Sequence, residues 1–152
     1  MKTRRITVRG IIFRNGQLLA QQLKPDSLGR ERDYWCTPGG GLDLGESLLD
    51  GLQREMIEET GIAPRIGKLL FIQQYEDDIK EFIEFFYHIE NPEDYETIDL
   101  AAASHGELEI KNVAFVMPGE HEIMPAFLQT LDIQHYIDTD QPVLNVNNLA
   151  AS

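Results

Sequence analysis

One stretch decides the fold: GGLDLGESLLDGLQREMIEETGI, residues 40–62. Its second half predicts a helix over residues 47–60. Ser47 followed by Asp50 fits an S-x-x-D capping box, and Gly61 supplies a left-handed stop. Leu48, Leu49, Leu52 and Met56 fall on one stripe at helical spacing, the face expected to meet the core. Glu55, Glu58 and Glu59 crowd the C-terminal part, where a helix already carries about half a negative charge from its unpaired carbonyls. Glu55 and Glu59 lie one turn apart and Glu58 adjoins them. Glu59 also continues the line of Leu52 and Met56, so these acids sit at the margin of the core rather than opposite it.

Partial burial raises the mutual repulsion of such carboxylates. They are stable together only with a proton or a cation to share, and near neutral pH a divalent metal is the natural answer. All-oxygen ligands favour Mg²⁺ or Mn²⁺ over zinc. Arg54 can reach Glu58 at i,i+4 and hold one carboxylate in place. Upstream, PGGGLDLGES has four glycines in ten residues. Glycines let backbone approach a ligand and present carbonyls as further hard ligands, and Glu46 adds a carboxylate just before the helix.

At this point the chain resembles the Nudix hydrolase family. Gly40, Glu46, Arg54, Glu55, Met56, Glu58, Glu59, Gly61 and Ile62 occupy the specified positions of the Nudix box. The resemblance implies an α/β fold, an α/β/α sandwich with a mixed β-sheet, built as a single domain over residues 1–152. It implies hydrolysis of a nucleoside diphosphate linked to another group X, with Mg²⁺ or Mn²⁺. Carried over by position, Glu58 and Glu59 are metal ligands, Glu55 is a ligand or the base that activates water, and the carbonyl of Gly39 is another ligand. Arg54 joins these acids in the catalytic group by orienting them, with Glu46. Some members take a further carboxylate from a later loop; Glu107 and Glu109, just before a strand, are the preferred candidates, ahead of Glu120 and Glu122. His105 and His121 are possible bases, each more simply read as exposed. The alternative to an enzyme is a silent Nudix-like nucleotide-binding or regulatory module. Such a module is expected to lose box acids, and this chain keeps them all.

The rest of the chain bounds these readings. A length of 152 residues suits one domain with a real core. Cys36 is the only cysteine; it is expected to be a buried strand residue rather than a nucleophile. The basic N-terminus has no unbroken apolar segment, and no apolar run approaches the ~18 residues of a membrane helix. A cytoplasmic protein with no membrane partner is expected. The net charge of −13 is uneven: residues 1–35 hold eight of the thirteen basic residues and three acids, a balance of +5, leaving −18 for the remainder. Unspecific nucleic-acid binding is therefore not expected. A small diphosphate substrate could be caught where the basic segment meets the acidic helix. Arg5, Arg9 and Arg32 are the candidates to contact its phosphate or base, with Tyr34 as a stacking surface. A monomer or homodimer is expected.

RRITVRGIIF and GQLLAQQL read as strands joined by the Asn15-Gly16 turn. YWCTPGGG reads as a short strand running into a glycine-rich turn. GKLLFIQQYE, EFIEFFYHIE and IKNVAFVM are further strands, and GEHEIMPAFLQTLDIQHYI is a candidate helix that Pro125 must kink or delay. Residues 138–152 carry little signal. The proline of many ADP-ribose members, the tyrosine of dinucleoside-polyphosphate members and the coenzyme A signature are all missing, so the sequence selects no substrate.

Overall fold

The computed structural model describes residues 1–149. In chain order the strands and helices are β1 (Thr3–Ile11), β2 (Phe13–Arg14), β3 (Gln17–Leu23), β4 (Trp35–Cys36), β5 (Gly39–Gly41), α1 (Leu48–Thr60), β6 (Ile66–Glu76), β7 (Lys80–Ile89), α2 (Gly106–Glu109), β8 (Ile110–Val116), β9 (Ile123–Met124), α3 (Ile133–Asp138) and β10 (Leu144–Asn148). They form two five-stranded sheets. The first runs β10-β6-β7-β1-β5 and is mixed: β10 with β6 and β7 with β1 are parallel, while β6 with β7 and β1 with β5 are antiparallel. The second is β2-β3-β4-β9, with β8 alongside β3. The expected α/β fold with mixed pairing is present, divided between two sheets rather than one.

Local chemistry explains the elements that position the box. Asn15 and Gly16 both take positive φ, 54° and 75°, as a two-residue hairpin turn requires. Ser47 caps α1 by accepting the Asp50 N–H at 3.1 Å. Gly61 ends it at φ 77°, its N–H bonded to the Ile57 carbonyl. Leu52 and Met56 are fully buried, and Glu59 is only 5% exposed. Leu49 departs from the expected stripe and is 49% exposed. Gly51 takes the buried position instead, so close to Leu42 that a Cβ there would lie 2.1 Å from Leu42 Cδ2.

Ile11, the last residue of β1, and its neighbour Ile12, just past the strand, belong to different cores. One core joins Val8, Ile12, Leu19 and Ile89 to Leu52 and Met56 of α1. The other joins Ile11, Leu18, Phe71 and Phe86 to Leu128 and Ile133. The expected long helix after residue 118 is resolved into β9, a 3₁₀ turn at Ala126–Gln129 and the six-residue α3. The weak C-terminal tail holds β10, which adds an edge strand parallel to β6. No helix among the described residues is long and apolar enough to cross a membrane. Leu52→Ala should cost about 2–5 kcal/mol, because the helix that carries the acids is anchored by this side chain; urea unfolding followed by circular dichroism measures it as a lower midpoint at unchanged slope.

Candidate active site

The box acids line a cleft of about 540 Å³ between α1, β1, β3 and β5. Arg54 organises its outer wall. Its Nε and Nη2 grip Glu46 at 2.7 and 2.9 Å, and Nη2 also donates to the Gly41 carbonyl at 3.1 Å. Its Nη1 donates to both Glu55 Oε1 at 3.1 Å and Glu58 Oε2 at 3.2 Å. The i,i+4 contact read from the sequence is therefore present, within a larger fork. Hydrogen bonds from Arg54, together with the Asp43 N–H, hold the Glu46 carboxyl down at about 2. Burial dominates at Glu55 and pushes its carboxyl up. His105 Nδ1 lies 3.1 Å from Glu58 Oε2.

Glu59 lies deepest. Its Oε2 accepts the Gln21 side-chain N–H at 3.0 Å and the Gly39 backbone N–H at 3.1 Å. Burial still raises its carboxyl to about 7, outweighing the nearby Arg9 charge. Gln21 is 1% exposed, and its Oε1 has no hydrogen-bond partner among the described residues.

Each of the three acids is thus tethered through one oxygen. Among the described residues Glu55 Oε2, Glu58 Oε1 and Glu59 Oε1 accept no hydrogen bond. Three hard oxygens with no sulfur ligand beside them fit a hard divalent cation in their chemistry. As the side chains stand they are not gathered around one point: no group of three His, Cys, Asp or Glu among the described residues is close enough to hold a metal.

Of the residues expected to meet substrate, Arg5, Arg9 and Arg32 line the same cleft. Arg9 is committed to Glu84, with Nε 3.0 Å from Glu84 Oε2; burial is the largest single influence and opposes its charge, but Glu84 and Glu59 with the Cys36 sulfur together outweigh it and raise its pKa. Arg32 donates only to the Lys24 carbonyl, and the Arg5 guanidinium has no hydrogen bond or ion pair among the described residues. Tyr34 lines a second cleft, of about 560 Å³, which shares Arg9, Leu23 and Tyr75 with the first. Glu107 is exposed and does not line the acid cleft; Glu109, at the end of the same short helix, does. Cys36 is buried, as expected, and burial raises its thiol pKa. The sequence reading missed Gln21 and Glu84. Both carried a signal: each is a polar residue within a largely apolar strand segment, LLAQQL, which also holds Gln22, and EFIEFF, which also holds Glu81.

The NUDIX domain model matches residues 3–129. An RNA pyrophosphohydrolase of Ruthia magnifica subsp. Calyptogena magnifica is 46% identical over 57 residues, 36% of this chain and 28% of that protein. The chain spans about a third or less of the length of the curated relatives it matches, 28–35%. Among solved structures, the E. coli ORF135 protein superposes with a TM-score of 0.67 at 21% identity, covering 93% of this chain and 95% of that one. A UDP-X diphosphatase gives 0.66 at 15% identity, covering 95% and 68%. Those likenesses are to the fold; the family match spans most of the chain, and the chain belongs to the Nudix family.

Proposed function

We propose that this protein is a divalent-cation-dependent hydrolase of a diphosphate linkage in a nucleotide-type substrate. The observation that carries the reading is the set of three box acids in one cleft, each held by one oxygen with the other uncommitted. Glu55, Glu58, Glu59 and the Gly39 carbonyl would hold Mg²⁺ or Mn²⁺. When bound, that cation offsets the charge of the diphosphate and acidifies an attacking water. Arg54 keeps Glu55 and Glu58 in place. Glu55, whose carboxyl is made more basic by burial, would serve as a ligand or as the base that takes the proton from water. Arg5 and Arg32, without carboxylate partners, bind phosphate. Tyr75 and Phe82 stack at 4.6 Å and 6° in the cleft wall and present aromatic surface for a base. The name of the RNA pyrophosphohydrolase relative supports a pyrophosphate linkage in a nucleotide-type substrate. A cytoplasmic location and a monomer or homodimer complete the reading.

A panel of nucleotides, nucleotide sugars and 5′-triphosphorylated RNA incubated with Mg²⁺ or Mn²⁺, with products identified by mass, tests this function. Cleavage at a diphosphate linkage is expected, abolished by EDTA and poorly restored by zinc. Full turnover in excess EDTA would sink the metal mechanism. Arg5→Ala and Arg32→Ala should each raise KM several-fold with little change in kcat, the pattern of lost ground-state binding.

Glu59 generates a further expectation. A carboxyl at about 4.5 in the unfolded chain and about 7 in the folded one binds its proton more tightly when folded. Its stabilising contribution is full below about pH 4.5 and disappears as pH rises through 7, a change on the order of 3 kcal/mol at ~1.4 kcal/mol per unit. In EDTA the wild-type melting temperature should therefore fall between pH 5 and 8. Glu59→Gln should flatten that fall and be the more stable protein at pH 8. Added Mg²⁺ should reverse the order by stabilising only the protein that keeps its ligand.

A further inference from the structure

The peptide of Gly39 is held from both sides. Its N–H donates to Glu59 Oε2 at 3.1 Å, and its carbonyl accepts from Arg9 Nη1 at 3.3 Å. The same nitrogen donates to the Thr37 carbonyl at 3.1 Å. One guanidinium nitrogen therefore spans the turn across Pro38. The one polar side chain of the turn does not do this: the Thr37 hydroxyl is buried without a hydrogen-bond partner among the described residues. Gly39 sits at φ +141°, against β1, where a Cβ would lie 2.0 Å from the Val8 carbonyl oxygen. Side chains are likewise impossible at Gly40 without displacing the Glu55 carboxylate, 2.6 Å from a Cβ there. The turn must be oriented from outside.

Arg9 is itself held by Glu84, which is 4% exposed. Glu84 Oε2 accepts from Arg9 Nε at 3.0 Å and from Thr7 Oγ1 at 2.9 Å. Glu84 Oε1 accepts from Gln73 Nε2 at 3.1 Å, and Gln73 Oε1 accepts from Asn148 Nδ2 at 3.0 Å. Both oxygens of this carboxylate are engaged by hydrogen bonds, unlike the box acids, each of which keeps one oxygen uncommitted. A buried ion pair is seldom a better stabiliser than apolar residues of the same volume. Its presence beneath the box turn needs another reason.

We propose that Arg9 and Glu84 are positioning residues. Arg9 staples residues 37–39 and fixes the direction of the Gly39 carbonyl, and Glu84 fixes Arg9 and cancels its charge beside the acid cleft. This rests on the reading that a divalent cation takes that carbonyl.

The test removes the pair without stranding either charge. The double variant Arg9→Met/Glu84→Leu and the single variant Glu84→Gln are compared with wild type. Mn²⁺ binding is followed by the EPR signal of free Mn²⁺ without substrate, and unfolding is followed in EDTA. The double variant should melt at or above the wild-type temperature yet bind Mn²⁺ about tenfold more weakly. Glu84→Gln should bind more weakly still, because it leaves the Arg9 charge uncompensated. Wild-type Mn²⁺ affinity in a folded double variant overturns the proposal. Should the double variant not fold, Arg9→Lys decides, because it keeps the charge beside Glu84 and loses the guanidinium nitrogen that reaches both carbonyls: weaker Mn²⁺ binding by a folded protein supports the staple, and unchanged binding overturns it. Absence of Mn²⁺ binding by wild type is a separate result, which removes the cation reading and the staple with it.

Discussion

One guanidinium faces more negative charge than it can neutralise. Arg54 stands within 3.6 Å of Asp43, Glu46, Glu55 and Glu58, at a helix with no basic residue in its last turn. Its attention is unequal. Two of its nitrogens serve Glu46, whereas Nη1 alone is divided between Glu55 and Glu58. Glu46 is accordingly held low, at about 2, while Glu55 is pushed up by burial. Bidentate pairing of this kind is strong and directional, so Arg54 and Glu46 fasten the loop to α1. The remaining acids keep their repulsion. The fold tolerates them because the apolar face of α1, through Leu52 and Met56, anchors the helix independently of its charges.

That division of labour extends into the glycine run. β5 pairs with β1 through Thr7–Gly41, Val8–Gly40 and Arg9–Gly39, although glycine is a poor strand former. The reason is proximity. A Cβ at Gly41 would lie 2.4 Å from the Arg5 guanidinium, and one at Gly40 2.6 Å from the Glu55 carboxylate. The charged ends of β1 and α1 occupy the space that side chains of β5 would fill. Glycine here loses strand stability and gains a site in which backbone and charged groups share one small volume.

Legibility followed sequence distance. The cap, the stop, the acid cluster and the Arg54–Glu58 contact were readable because each lies within a few residues of its partner, and helical geometry converts spacing into position. Burial of Glu59 followed from its line with Leu52 and Met56. Leu49 was misplaced because the stripe shifts to Gly51, a residue with no hydrophobicity to reveal it. β10 was missed because LNVNN is mostly asparagine; it is held as a strand by pairing with β6, not by its own preference. Nor could spacing join Arg9 to Glu84, 75 residues apart. Only the parallel register of β1 on β7, which sets Thr7 beside Glu84 and Arg9 beside Phe86, brings them together. The choice between Glu107 and Glu109 depended on a four-residue helix too short for a pattern to show.

The charge asymmetry of the N-terminal segment also changes meaning once partners are known. Lys2, Arg4, Arg14 and Arg30 each meet an acid at the surface, in pairs of the kind that contribute little, and Arg9 meets Glu84 inside. Positive charge in the sequence is therefore not positive potential in the fold. What remains unpaired at the acid cleft is Arg5 and Arg32, set against Glu55, Glu58 and Glu59. With Arg9, Arg54 and Glu109 included, the lining holds four arginines and four acids, a balance that does not by itself draw a diphosphate to a protein of net charge −13. Under the proposed function a divalent cation tips that balance, turning a cleft without net attraction for the substrate into one that receives it. Cation affinity and substrate affinity are then one property of the cleft: any change that weakens the acids' hold on the cation weakens capture of the diphosphate too, even where Arg5 and Arg32 are untouched.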